Sequence, residues 1–185
     1  MDGVRHLTLA ELEAGMDDIR RSPQDAGVLA MIVRRPKLDE REVLDEGTLT
    51  AAEGLVGDAW RHLGSSRTAD GSAHPDMQLT LMNMRAIALL AQSKERWPLA
   101  GDQLYVDLDL SNANLPPGTM LSVGTALIQV TDQPHTGCAQ FLQRFGVDGL
   151  KFVNSPAGKE LHLRGIYTRV VQQGVVRVGD VVKKV

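Results

Sequence analysis

A single cysteine, Cys138, stands among 185 residues, so no intramolecular disulfide staples this fold and a reducing, cytoplasmic setting is expected. No run of Lys or Arg occurs, and the net charge of -3 with a pI near 5.9 gives no footprint for nucleic acid or an anionic membrane. Long apolar runs are missing too: "AIALLA" at 86–91, matched in length by "VLAMIV" at 28–33, is far too short to cross a bilayer. The opening "MDGVRHLTLAELEAGMDD" is acidic and amphipathic, unlike a signal peptide. Neither G-x-G-x-x-G nor a P-loop is present, which leaves a nucleotide site without support, and no G-x-S-x-G elbow appears. The five histidines show no H-x-H or H-x-x-x-H spacing, so a local zinc site is unsupported.

What is present is ordinary globular composition, 43% hydrophobic and 23% charged, long enough to bury one substantial core. Residues 8–21, "TLAELEAGMDDIRR", read as a helix: Thr8 and Glu11 have capping-box spacing, and Leu9, Leu12, Met16 and Ile19 form one stripe. "SPQDAG" at 22–27 breaks it, which sets a helical extension at 1–26 packed on a main domain at 27–185.

From Gly27 onward strands dominate. "VLAMIVRR" (28–35) is β-branched and apolar and ends at Pro36, and "MQLTLMN" (77–83) alternates. It runs into a helical pattern through Ile87, Leu90 and Ala91 that Pro98 is expected to stop. "QLYVDLDL" (103–110) places Leu104, Val106, Leu108 and Leu110 on one face, with Tyr105, Asp107 and Asp109 on a solvated one. "TALIQVTD" (125–132) and the C-terminal "GIYTRVVQQGVVRVGDVVKKV" add short strands with Gly-containing turns. The fold class is therefore mainly β with inserted helices, a barrel or sandwich, without the β-α-β alternation of a doubly wound sheet.

Cys138 lies in "QPHTGCAQFLQRFG" (133–146), where Phe141, Leu142 and Phe145 have helical spacing and Gly146 suits a C-cap. With Thr136 as N-cap, Cys138 falls in a first helical turn, where backbone N–H groups favour a thiolate. His135 is then a base or an imidazolium partner. A lone cysteine is also a common core residue, so this pattern leaves both readings open. A second unusual stretch, "EGLVGDAWRHLG" (53–64), gathers Asp58, Trp60, Arg61 and His62 in a loop able to hold an anion, with a plain Gly-Asp turn as the alternative. "SSRTADGSAHPD" (65–76) has the composition of a mobile loop, and Arg164 and Arg169 default to surface roles.

Taken in order, "GLVGDAW", "AGDQLYVDLDLSNANLPPGTMLSVGTALIQVT", "PHTGCAQF" and "RGIYTRVVQQGVVRVGDVV" resemble the MOSC domain, named after the C-terminal domain of molybdenum-cofactor sulfurases, over residues 27–185. The resemblance implies a β-barrel and matches Cys138 to the family's cysteine, which carries sulfur or ligates molybdenum. It implies catalytic roles for Cys138 and His135, with Cys138 also the metal ligand, and the molybdenum cofactor (molybdopterin) bound with help from Asp58, Trp60, Arg61, His62, Thr136 and Arg169. The expected activity is a molybdenum-dependent oxidoreductase for small N-hydroxylated compounds, fed by an electron-donor protein. The alternative is a sulfur-carrier or cofactor-delivery module whose Cys138 persulfide comes from a cysteine desulfurase. Pyridoxal phosphate would then belong to that partner, since this chain is too short to include such a domain. A cysteine-nucleophile hydrolase using Cys138 and His135 lacks an evident orienting residue.

Overall fold

The computed structural model describes residues 5–185. The first half of the chain carries β1 (Ala26–Arg34), β2 (Glu42–Leu44), β3 (Glu46–Thr50), β4 (Gly54–Leu55) and β5 (Leu79–Asn83). The second half carries β6 (Leu104–Val106), β7 (Met120–Val123), β8 (Ala126–Val130), β9 (Ile166–Gln172), β10 (Gly174–Arg177) and β11 (Val181–Lys184). Seven of these close a ring in the order β1-β6-β5-β9-β8-β7-β11, with β11 returning to β1 through Ala26 opposite Lys183. The β5–β6 pairing is parallel and the others in the ring are antiparallel, which makes this a mixed barrel with no open edge. A separate sheet of β10, β3 and β4 lies beside it, and β2 pairs with β1.

Alternation along the strands sorts side chains into two cores. Leu29, Ile32, Leu81, Leu104, Val106 and Leu121 point into the barrel. Met31, Val33, Met82 and Tyr105 point outward, where helices cover them. A shift of register between Leu29 and Met31 keeps β1 obeying both faces. Close approach matters at Gly27, where any Cβ would overlap the Asp107 carbonyl of the neighbouring strand segment.

The covering helices are α1 (Leu9–Ala14), α2 (Met16–Arg20), α3 (Trp60–Leu63), α4 (Met84–Ala91), α5 (Ala139–Asn154) and α6 (Pro156–Glu160). The capping box forms as expected, Thr8 accepting from Glu11 N and Glu11 from Thr8 N, but the helix of 8–21 is two short ones divided at Gly15. Leu12, Met16 and Ile19 are buried, α1 against α5 and α2 against α4. Three other expectations need correction. The helix after β5 stops at Gln92, left-handed at φ 62°, and Pro98 sits inside a separate 3₁₀ segment, Lys94–Ala100. Tyr105 is fully buried with its hydroxyl donating to Trp97 O at 2.8 Å, because that strand face meets helices instead of water. Asp107 pairs with Arg85 at 2.8 Å in place of standing free on a solvated strand. No helix among the described residues is long and apolar enough to cross a membrane.

Candidate functional site

Beyond β8 the chain runs without regular structure from Thr131 to Cys138 and is pinned at both ends. Thr131 Oγ1 donates to Asp76 O at 2.7 Å, and Gly137 N donates to Asn154 Oδ1 at 2.9 Å. Gly137 packs so closely that a Cβ would meet the Leu150 side chain. Cys138 is itself the N-cap of α5, its carbonyl accepting from Leu142 N at 3.0 Å. Thr136 is therefore not the cap and Cys138 is not in the first turn. The helix breaks at Gly146 (φ 78°), where the sequence placed a C-cap, and then resumes to Asn154. The thiol is exposed.

Cys138, Thr136 and His135 form one wall of a cavity of about 320 Å³. Trp60 and Leu63 from α3, with Ser65 and His74 from the loop after it, form another. That loop is held in place: Arg67 donates to the Pro134 carbonyl at 3.3 Å, and Thr68 closes it on Ser72 at 2.6 Å. Four arginines complete the lining, Arg35, Arg41, Arg144 and Arg164.

Two of those arginines face buried carboxylates. Arg35 grips Asp58 in a two-pronged pair, Nη2 to Oδ1 at 2.8 Å and Nε to Oδ2 at 3.0 Å. Asp58 also accepts from the backbone N–H groups of Arg35 and Trp60. Burial alone would raise its pKa, but these bonds and the Arg35 charge outweigh it and hold the carboxyl below its ordinary value. Arg164 Nη1 donates to Asp102 Oδ2 at 2.7 Å, and there burial dominates and raises the carboxyl. Among the described residues Arg41 and Arg144 have no such buried partner, since Asp39, paired with Arg144, is exposed. The Arg41 pKa is lowered by burial and by its neighbours Arg144 and Arg35. The cavity is thus cationic.

His135 packs against Tyr167 in a tilted pair, with ring centroids 4.5 Å apart, and is 9% exposed. Burial, then Arg164 and Arg35, pushes its pKa well below the ordinary value. That environment favours a neutral ring, so the imidazolium role is corrected. His135 Nδ1 faces Asp102 Oδ1 at 3.9 Å, outside hydrogen-bond reach, and neither atom has a partner among the described residues. Arg164 Nε and Trp60 Nε1 are likewise buried without partners. Such atoms are rare in finished cores, and here they gather around one cavity.

The remaining sequence candidates scatter. Asp58 stands behind the wall, fixing Arg35 and the start of α3. Arg61 and His62 are exposed and outside the cavity lining, because one turn of α3 directs Trp60 and Leu63 inward in their place. Arg169 is 48% exposed, bonds Asp76 at 3.0 Å, and belongs to a shallow groove elsewhere. Sequence reasoning missed Arg35, Arg41, Asp102 and Arg144 and gave Arg164 a surface role. The usable signals were an Arg pair closing an apolar strand at 34–35 and an Arg followed by Gly165, left-handed at φ 98°, against β5.

Comparison with known proteins fits this architecture. The YuaD protein of Bacillus subtilis superposes with a TM-score of 0.65 over 86% of this chain and 95% of its own, at 15% identity. YiiM of Escherichia coli gives 0.55 over 85% of this chain and 69% of its own, at 22% identity. YiiM of Geobacillus stearothermophilus gives 0.52 over 89% and 74%, at 16% identity. At these identities the likeness establishes the fold. No curated protein matches the sequence significantly. The model of the MOSC domain family matches residues 69–183, which takes in β5 to β11, Cys138 and Arg164 and leaves the Asp58 loop outside. With well over half of its length matched, and with a closed barrel in place, this chain belongs to the MOSC domain family.

Proposed function

We propose that the cavity holds the molybdenum cofactor and that the protein is a molybdenum-dependent oxidoreductase for small N-hydroxylated compounds, with Cys138 as metal ligand. The observation that carries this reading is an accessible thiol on the wall of a cavity lined by four arginines, two of which, Arg35 and Arg164, are paired with buried carboxylates. The residues fit the group. Guanidinium forks match a phosphate, and the lining residues Trp60 and His135 carry ring nitrogens without a partner among the described residues. Bound there, the cofactor supplies a two-electron redox centre.

The chain's own residues supply the rest. Cys138 Sγ offers a soft donor suited to a transition metal. Arg41 and Arg144 neutralise the anion, and Trp60 and Tyr167 exclude water. Reducing an N–OH group to N–H breaks the N–O bond, takes up two electrons and two protons, and releases water. The electrons come from a donor protein, and His135 Nδ1, opposite Asp102 Oδ1, is placed to hold one proton. A reducing compartment such as the cytoplasm suits the single exposed thiol.

The test is the molybdenum and pterin content of the protein from a molybdate-fed host, beside Cys138→Ser. Near-stoichiometric molybdenum in the wild type and its loss in the variant are expected. Absence from both overturns the reading.

One observation favours a second reading. Cys138 is exposed, as handover of a persulfide to another protein requires. After incubation with a desulfurase and free cysteine, mass spectrometry would then show one added sulfur atom that Cys138→Ser abolishes. Wild type that gains no sulfur rules the carrier out.

A further inference from the structure

His135 and Thr136 are walls with two sides. Behind them lies a second cavity of about 400 Å³ that shares these two residues with the arginine cavity but includes neither Cys138 nor any arginine. Its floor is apolar: Leu115, Val130, Val153 and Ile166 are each at most 3% exposed. Lys159, at the end of α6, is exposed at the rim. His162, three residues on, is held in the left-handed region at φ 49° with Nδ1 bonded to the Leu110 carbonyl at 2.7 Å.

That bond makes Nδ1 the protonated nitrogen, leaving Nε2 for a ligand. Nε2 accepts in the neutral ring and donates in the doubly protonated one. The one carboxylate of the lining, Asp132, is exposed and accepts from Gln133 Nε2 at 3.0 Å. An apolar floor with a few polar groups around it is the usual form of a small-molecule site.

We propose that this second cavity is a binding site for a small apolar carboxylate, its ring or chain on Leu115, Val130, Val153 and Ile166 and its carboxylate on Lys159 and His162. The site is separate from the cysteine cavity and stands whether or not that cavity takes a metal. His135 and Thr136 touch both occupants, so filling one cavity changes a wall of the other.

The test titrates the metal-free protein with benzoate, benzyl alcohol and benzylamine while the histidine ring signals are followed by NMR. Five histidines serve as reporters, and His74 lines only the arginine cavity. Benzoate is expected to move His162 and His135 saturably and leave His74 still. Benzyl alcohol should bind about tenfold more weakly and benzylamine weaker again, the cost of losing a charge-assisted hydrogen bond. Lys159→Glu, a surface change, should weaken benzoate about tenfold or more. His162→Asn, which tolerates the left-handed backbone, should do the same. Shifts at His74 with His162 silent would place benzoate among the arginines and overturn the proposal. So would equal affinity for all three probes, or benzoate binding unchanged in both variants.

Discussion

The barrel interior and the arginine cavity share strands β5 and β9, and they are built on opposite rules. Inside the barrel, leucines, valines and isoleucines meet at essentially zero exposure, and the buried Thr168, on the same face of β9 as Ile166 and Val170, adds a single hydroxyl that has no partner among the described residues. At the cavity, ionisable groups are buried in pairs, and four of the five unpartnered buried polar atoms belong to Trp60, Asp102, His135 and Arg164. Each such atom costs about 1–3 kcal/mol when it stays unpaired. A core filled for stability has no reason to keep four of them together, whereas a surface prepared for a polar ligand does. The barrel holds the fold, and on the proposed function the cavity spends some of that stability on recognition.

The sharpest way to break this contrast is Asp102→Ala, which strands the Arg164 guanidinium at 8% exposure. A loss of about 3–5 kcal/mol is expected in urea denaturation. Replacing both partners with leucine and methionine should instead leave stability level or improve it by about 1–4 kcal/mol. A double variant as damaged as the single would mean that the pair serves the fold after all. Next in size is Leu104→Ala in the barrel interior, at about 2–5 kcal/mol, with the histidine signals of the cavity unchanged.

A subtler difference lies in pH. The His135 pKa is lowered in the folded protein, so below the unfolded value of about 6.5 the unfolded chain takes up a proton that the native state refuses. Stability is therefore fully present above that pH and lost as pH falls below it, and His135→Asn should flatten the slope. Asp58, depressed in the fold, contributes stability that is lost only at lower pH, as its carboxyl protonates below the ordinary carboxylate range. Smallest of all is Arg61→Ala, which should change stability by less than about 0.5 kcal/mol and leave molybdenum content intact. A loss of metal there would return Arg61 to the site.

The contrast also explains what could be read in advance. Barrel strands announce themselves because alternation is local: Leu104, Val106 and Leu108 can be counted off without knowing any partner. Cys138 and His135 stood out for the same reason, as residues three apart in one short segment after a strand. Tyr105 was misplaced because alternation separates two faces without saying whether water or a helix covers the second. Arg35, Asp102 and Arg144 were missed, and Arg164 was given a surface role, because each looks ordinary in its own stretch. Only ring closure brings the end of β1, the turn before β6, the middle of α5 and the start of β9 around one space. The Arg61 and His62 error has a local cause, since a loop was expected where a turn of helix selects which side chains face inward.

Closure also has a consequence in time. Because Ala26 lies opposite Lys183, β1 must wait for residues 181–184 before the ring can shut. Until then its outer edge, and that of β7, stay open to any passing strand. A nascent chain with everything through β10 already made still has no barrel. Folding is thereby governed by contacts between distant parts of the sequence, the slow regime for a domain of this size, and the interval before the last strand arrives is when aggregation competes most strongly.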